Sequence, residues 1–201
     1  MLFVANPVLA GDGPPPAAAP ARETIEALFP APPDGWQLGA VQISYGHGAR
    51  RQIAAHGAVV DELRTRGVRV TARRRYVRDG RAVTIVIATN DIEGTVRIDA
   101  VDAAAGFSDE LRDGLQRGGL RAIEHDGRPG IASDEDGERV HRFRAGVAST
   151  VTLRCEARDC GDMLERLPAL LDWPAVETQL ARIEAGMQET ARGGQRESSR
   201  P

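Results

Sequence analysis

Lysine is absent from the chain: all 26 basic residues are arginine, set against 29 acidic ones for a formal net charge of -3. With Ala, Gly, Val and Asp abundant, that usage reads as the coding bias of a GC-rich genome rather than as selection of the guanidinium for its bidentate geometry. The slightly negative balance argues against a nucleic-acid partner, since a dedicated nucleic-acid binder carries a clear basic excess. Aromatic side chains are scarce, with two Trp, two Tyr and four Phe, so each one that is buried, Trp36 first, weighs heavily in the core. No apolar run approaches the roughly 20 residues of a membrane-spanning helix. Catalytic motifs are missing as well. No serine is framed as a nucleophile, Gly46-His47-Gly48 lacks the strand-to-helix context of a phosphate loop, and His125 and Asp126 are neighbours that point apart on a strand. The acidic run Asp134, Glu135, Asp136 and Glu138 lacks the full calcium-loop pattern and reads as a solvated turn. These absences give the expectation of a protein that is not an enzyme and carries no cofactor.

What is present divides 201 residues into one domain with tails. Residues 1–10 read as the end of a secretory signal peptide, with Val8 and Ala10 in the small-residue pattern of a cleavage site and Gly11 opening the mature chain. Residues 11–33 form a Pro/Ala-rich linker containing a short helix from Arg22 to Phe29, stopped by Pro30, Pro32 and Pro33. The domain spans residues 34–187, and residues 188–201, polar and rich in Gly, Ser and Arg, read as a disordered tail.

The strongest local signal is a hairpin from Val68 to Ala88. Two β-rich runs flank Arg78-Asp79-Gly80-Arg81, and an Asp-Gly pair tolerates the positive φ of a tight reversal. Its second run, Ala82 to Ala88, is apolar on both faces except at Thr84, which places it in the middle of a sheet. A first strand is expected over Gln37–Tyr45 and an amphipathic helix over Ala49–Arg66, on the stripe Ile53, His56, Val59, Val60 and Leu63. Ile92–Ala105 reads as a strand or irregular segment, although the spacing of Ile92, Val96 and Ala100 also suits a helix. Ser108-Asp109-Glu110 starts a helix that Gly118-Gly119 stops. Strands follow at Leu120–Glu124, Arg128–Ala132, Glu138–Arg144 and Val147–Ala157, the last with Val147, Val151 and Leu153 as core residues. Helices over Gly161–Leu171 and Pro174–Met187 close the domain. Hairpins with helices inserted and appended predict an α+β single domain, a mostly antiparallel sheet with helices packed on one face.

Three sets of residues are candidates for function. Cys155 and Cys160, the only cysteines, are expected to form a disulfide in an exported chain. Together with His125 and His141 they also make a two-His, two-Cys metal set, whose spacing fits zinc poorly because zinc ligands usually come as close pairs on tight turns. In the run Arg73-Arg74-Arg75 the strand period sends Arg74 to one face, leaving Arg69, Arg73 and Arg75 as a stripe on the other, a candidate dock for an acidic partner.

Pro32-Pro33-Asp34-Gly35-Trp36, Arg74-Arg75-Tyr76 leading into Val83–Ile87, the turn Asp126-Gly127-Arg128-Pro129 and the closing Leu171-Asp172-Trp173 form a pattern over Pro32 to Leu180. It resembles a class of uncharacterised small exported bacterial α+β proteins, and its architecture is similar to PsbP/Mog1-like domains. The resemblance implies export and implies no activity. The expectation is therefore a periplasmic or secreted binding or accessory module for a protein partner in the cell envelope. The alternative is a periplasmic metal- or small-ligand-binding protein.

Overall fold

The computed structural model describes residues 20–47, 53–55, 58–60, 68–135, 137–156, 160 and 162–197. In chain order the elements are α1 (Arg22–Glu26), β1 (Gln37–Leu38), β2 (Gln42–His47), β3 (Ile53–Ala55), β4 (Ala58–Val60), β5 (Val68–Arg78) and β6 (Arg81–Ala88). Then come α2 (Ile92–Phe107), α3 (Asp109–Arg117), β7 (Leu120–His125), β8 (Arg128–Glu135), β9 (Glu138–Arg144), β10 (Thr150–Cys155), α4 (Met163–Leu170) and α5 (Trp173–Glu197). The signal-peptide expectation lies outside the described residues.

An antiparallel sheet of eight strands runs in the order β1-β5-β6-β10-β9-β8-β7, with β2 also on β5, and β3 pairs separately with β4. The long hairpin is its centre. Strand β6 lies between β5 and β10, with Val83 and Ile85 fully buried. The β5–β6 turn has Asp79 at φ 49° and Gly80 at φ 73°, and the β7–β8 turn repeats the geometry with Asp126 at 49° and Gly127 at 75°. Both are the left-handed pairs that match the twist of the flanking strands.

The α+β architecture is the expected one, but the helices divide between both faces of the sheet. One face carries Tyr76, Val83, Ile85, Ile87, Phe143, Val151 and Leu153, and it is covered by α1 with Leu28 and Phe29, by Leu164 and Leu167 of α4, and by Trp173, Val176 and Leu180 of α5. Among the described residues the opposite face is covered near β7–β9, where Ile98 and Val101 of α2 meet Ile131. Burial of each large side chain contributes about 1.5–3 kcal/mol. Tyr76, at 0% exposure, donates its hydroxyl hydrogen to the carbonyl of Pro30 at 2.9 Å, fastening the proline-rich approach to the core.

The segment Ile92–Ala105, expected to be a strand or irregular, lies within α2 (Ile92–Phe107), which puts helix on the second face. The apparent alternation is accidental. Ile98 and Val101 are buried while Val96 is exposed, which is a helical stripe, and the alanines favour helix. The single strand expected over Gln37–Tyr45 is divided at Gly39, whose N–H donates to the Arg75 carbonyl at 2.7 Å. A Cβ there would stand 3.3 Å from that oxygen. The helix expected over Ala49–Arg66 falls mostly outside the described residues, and its described parts are β3 and β4. β-branched Ile53, Val59 and Val60, with Gly57 between, suit strands better than a helix. Val147 is 80% exposed, so it is not a core residue; β10 starts three residues later, at Thr150. Helix α5 runs to Glu197, through the expected tail, as the helix formers Gln188, Glu189, Ala191 and Arg192 permit.

Candidate functional site

Cys155 ends β10 and Cys160 precedes α4, and the two form a disulfide with their Cα atoms 6.1 Å apart. Both are buried. The bridge removes two members of the candidate zinc set, because a disulfide sulfur offers no thiolate. The histidines converge on an aromatic ring instead. His125 lies 6.1 Å from Phe143 and 6.2 Å from Trp173, centroid to centroid, and His141 lies 6.4 Å from Phe143. Among the described residues no group of three His, Cys, Asp or Glu is disposed to hold a metal ion.

The arginine stripe has the orientation expected from the strand period, with Arg74 bonding back to the Gly39 carbonyl at 3.2 Å. Its charge, however, is largely answered within the sheet. Arg69 pairs with Asp91 at 3.1 Å, and Arg73 donates to Gln42 at 2.6 Å. Arg75 makes a bidentate pair with Glu156 at 3.0 and 2.6 Å, and Thr84 donates to the same carboxylate at 3.2 Å. The hydrogen bond from Arg75 holds the Glu156 carboxyl below its usual range. Further along the face Arg154 pairs with Glu138 at 2.8 Å, and Arg144 pairs with Asp99. An acidic partner docking on Arg75 has to compete with a carboxylate already in place.

A groove of about 560 Å³ opens on the face that α4 and α5 cover, at the end of β7–β9 where that cover stops. Its floor is set by strand register. Arg121 of β7 is opposite Ala132 of β8, which is opposite His141 of β9, and Asp134 of β8 is opposite Arg139 of β9. Neighbouring strands stand about 4.8 Å apart, so Arg121 and His141 rise on either side of the alanine methyl, and the small residue between long ones leaves the hollow. Leu164 and Glu165 of α4 form one wall, and Gln116 and Gly119, where α3 turns into β7, close an end. Gly119, at φ 75°, makes that turn.

The electrostatics of the groove differ from those of the open face. The ring of His141 donates to the Leu164 carbonyl. Burial, aided by Arg121 and Arg139, holds the pKa of His141 below its ordinary 6.5, so the ring is neutral at pH 7. Arg69, Arg75, Arg144 and Arg154 on the open face are paired with carboxylates, whereas Arg121, Arg139, Asp134 and Glu165 make no side-chain hydrogen bond or ion pair with any described residue. A second cavity of about 330 Å³, beside Cys160, has its charges answered internally, Arg166 by Asp162 at 3.4 Å and Arg78 by Asp79 at 3.3 Å. Of the groove residues, sequence reasoning singled out His141 for a different chemistry, passed over Asp134 as part of a solvated turn, and missed Arg121, Arg139 and Glu165. The period-2 pattern of β9 does put Arg139, His141 and Phe143 on one face.

No helix among the described residues is long and apolar enough to cross a membrane. No family model matches the chain, and neither a curated protein nor a solved structure matches it.

Proposed function

We propose that this chain is an exported, non-enzymatic binding module whose binding element is the groove around His141. The observation that carries this reading is the convergence of one neutral imidazole and four uncompensated charged side chains on a cavity of about 560 Å³. That volume lies within the roughly 300–1,000 Å³ of small-molecule sites. A binding role without catalysis is supported by the histidine itself. Its ring hydrogen bond goes to the Leu164 carbonyl, with no carboxylate hydrogen-bonded to it among the described residues to orient it as a base. The Cys155–Cys160 bridge supports export, because such bonds persist in oxidising compartments.

Native mass spectrometry of protein recovered from an oxidising compartment, combined with a thermal-shift screen of small metabolites, tests the reading. Ligand retention or stabilisation is expected in the native chain and is expected to vanish when Ala132→Phe fills the floor. Equal response of the two proteins refutes the groove as the binding element.

Docking of a protein partner on the open sheet face is the second reading. Its support is that β5 and β6 lie beyond the cover of α2 and leave Arg73 and Arg75 exposed. Salt-sensitive binding of an acidic partner, lost in Arg73→Glu with the groove intact, is the outcome that favours it.

A further inference from the structure

The signs of the groove charges are mixed, and their arrangement restricts what fits. Arg139 and Asp134 are register partners on adjacent strands, yet no ion pair joins them. Arg121 rises beyond Ala132 on the far strand, and Glu165 stands on the α4 wall near enough to His141 to influence it. A simple anion seated between Arg121 and Arg139 meets Asp134 and Glu165 as repulsive neighbours. A simple cation meets the arginines in the same way. A ligand carrying both charges satisfies both pairs, and the neutral ring of His141 beside them adds no charge of its own.

We infer that the groove takes a zwitterion bearing a carboxylate and an ammonium group, a free amino acid or a short peptide, with the carboxylate held by Arg121 and Arg139 and the ammonium held by Asp134 and Glu165. Leu164 and the Ala132 methyl supply the apolar surface for the ligand's own side chain. The planar fork of arginine suits a carboxylate, which it grips through parallel N–H···O bonds. The inference rests on the groove being the binding element.

Calorimetric titration at constant ionic strength tests it, with glycine, L-leucine and L-alanyl-L-alanine as probes and acetate, methylammonium and inorganic phosphate as the single-charge controls. At least one zwitterion is expected to bind about tenfold or more tightly than any control, since each charged hydrogen-bonding group lost costs about that factor. Preference for leucine or for the dipeptide distinguishes the free amino acid from the peptide. Arg121→Gln and Asp134→Asn, both exposed positions whose folding is checked by circular dichroism, are each expected to weaken binding about tenfold. Phosphate or acetate binding as tightly as the best zwitterion, or an unchanged affinity in Asp134→Asn, overturns the inference while leaving the groove as a ligand site. Absence of any binding here, together with equal responses of the native chain and Ala132→Phe in the metabolite screen, overturns both.

Discussion

Opening the Cys155–Cys160 bridge is the perturbation whose size the structure fixes most directly. The cysteines are separated by five positions, and the bridge ties the end of β10 to the segment that enters α4. Closing so short a loop in the unfolded chain removes conformational entropy worth about 2 kcal/mol at 25 °C, against nearly 5 for a hundred-residue loop. Comparing oxidised protein with protein unfolded, reduced and refolded under dithiothreitol keeps the sequence constant, so the two thiols still occupy their buried sites. Urea unfolding followed by circular dichroism is expected to show the midpoint falling by about 1 M for a slope near 2 kcal/mol/M, with the slope itself little changed. An unchanged midpoint refutes the reasoning, and so does a loss above about 4 kcal/mol, which requires the bridge to do more than close its loop. A second readout is local. Leu164 and Glu165, on the first turn of α4, wall the groove, so reduced protein is expected to bind groove ligands more weakly than its loss of global stability accounts for.

Tyr76→Phe leaves the Pro30 carbonyl without its hydroxyl partner in a buried site and is expected to cost about 1–3 kcal/mol, read by urea unfolding; a neutral effect contradicts the anchoring of the proline-rich segment. Gly94→Ala tests a sign: alanine in a helix normally gains up to about 1 kcal/mol over glycine. Here a Cβ would stand 2.8 Å from Cγ of Asp91 and 3.0 Å from Cγ2 of Thr150, so a loss of about 1–3 kcal/mol is expected and a gain refutes the packing. For His141, burial lowers the folded-state pKa below the ordinary 6.5, so below 6.5 the unfolded chain binds more protons than the folded one. Stability is therefore expected to fall as the pH drops from 6.5 through the lower folded value and to recover on the way up. His141→Gln is expected to flatten that part of the profile, and an unaltered slope refutes the assignment.

The sheet was legible where local chemistry and tertiary demand agree. Asp79-Gly80 and Asp126-Gly127 announce their turns because few other residues accept the dihedral angles the reversals need, and Ala82–Ala88 announces its central place by being apolar on both faces. Helix α2 was not legible for a related reason. Val96 and Ile98 alternate as in a strand while Ile98 and Val101 are spaced as on a helix, and the burial of the second pair over Ile131, with Val96 exposed, matches the helix. Gly39 shows the opposite case, a local break inside an otherwise convincing strand. The break exists because that backbone passes against Arg75, a residue 36 positions away.

The candidate site depends on two facts that neighbouring residues do not encode. The first is register: Arg121, Ala132 and His141 lie far apart in sequence, and only the pairings of β7 with β8 and of β8 with β9 bring them into one row. The second is the extent of cover. On the same face of β9, Phe143 is buried against Trp173, centroids 5.9 Å apart, while Arg139, four positions earlier, is exposed beyond the reach of the helices. His141 stands between them, half-buried, tied to α4 through the Leu164 carbonyl. An isolated arginine on a strand is most often a solvated side chain, and its sequence offers nothing to set it apart. What separates Arg121 and Arg139 from Arg75 is the presence of Glu156 beside one and the lack of a described carboxylate partner beside the others. The groove walled by α4 therefore gathers charges that no described side chain answers, whereas Arg69 and Arg75 of the longer stripe are answered by Asp91 and Glu156.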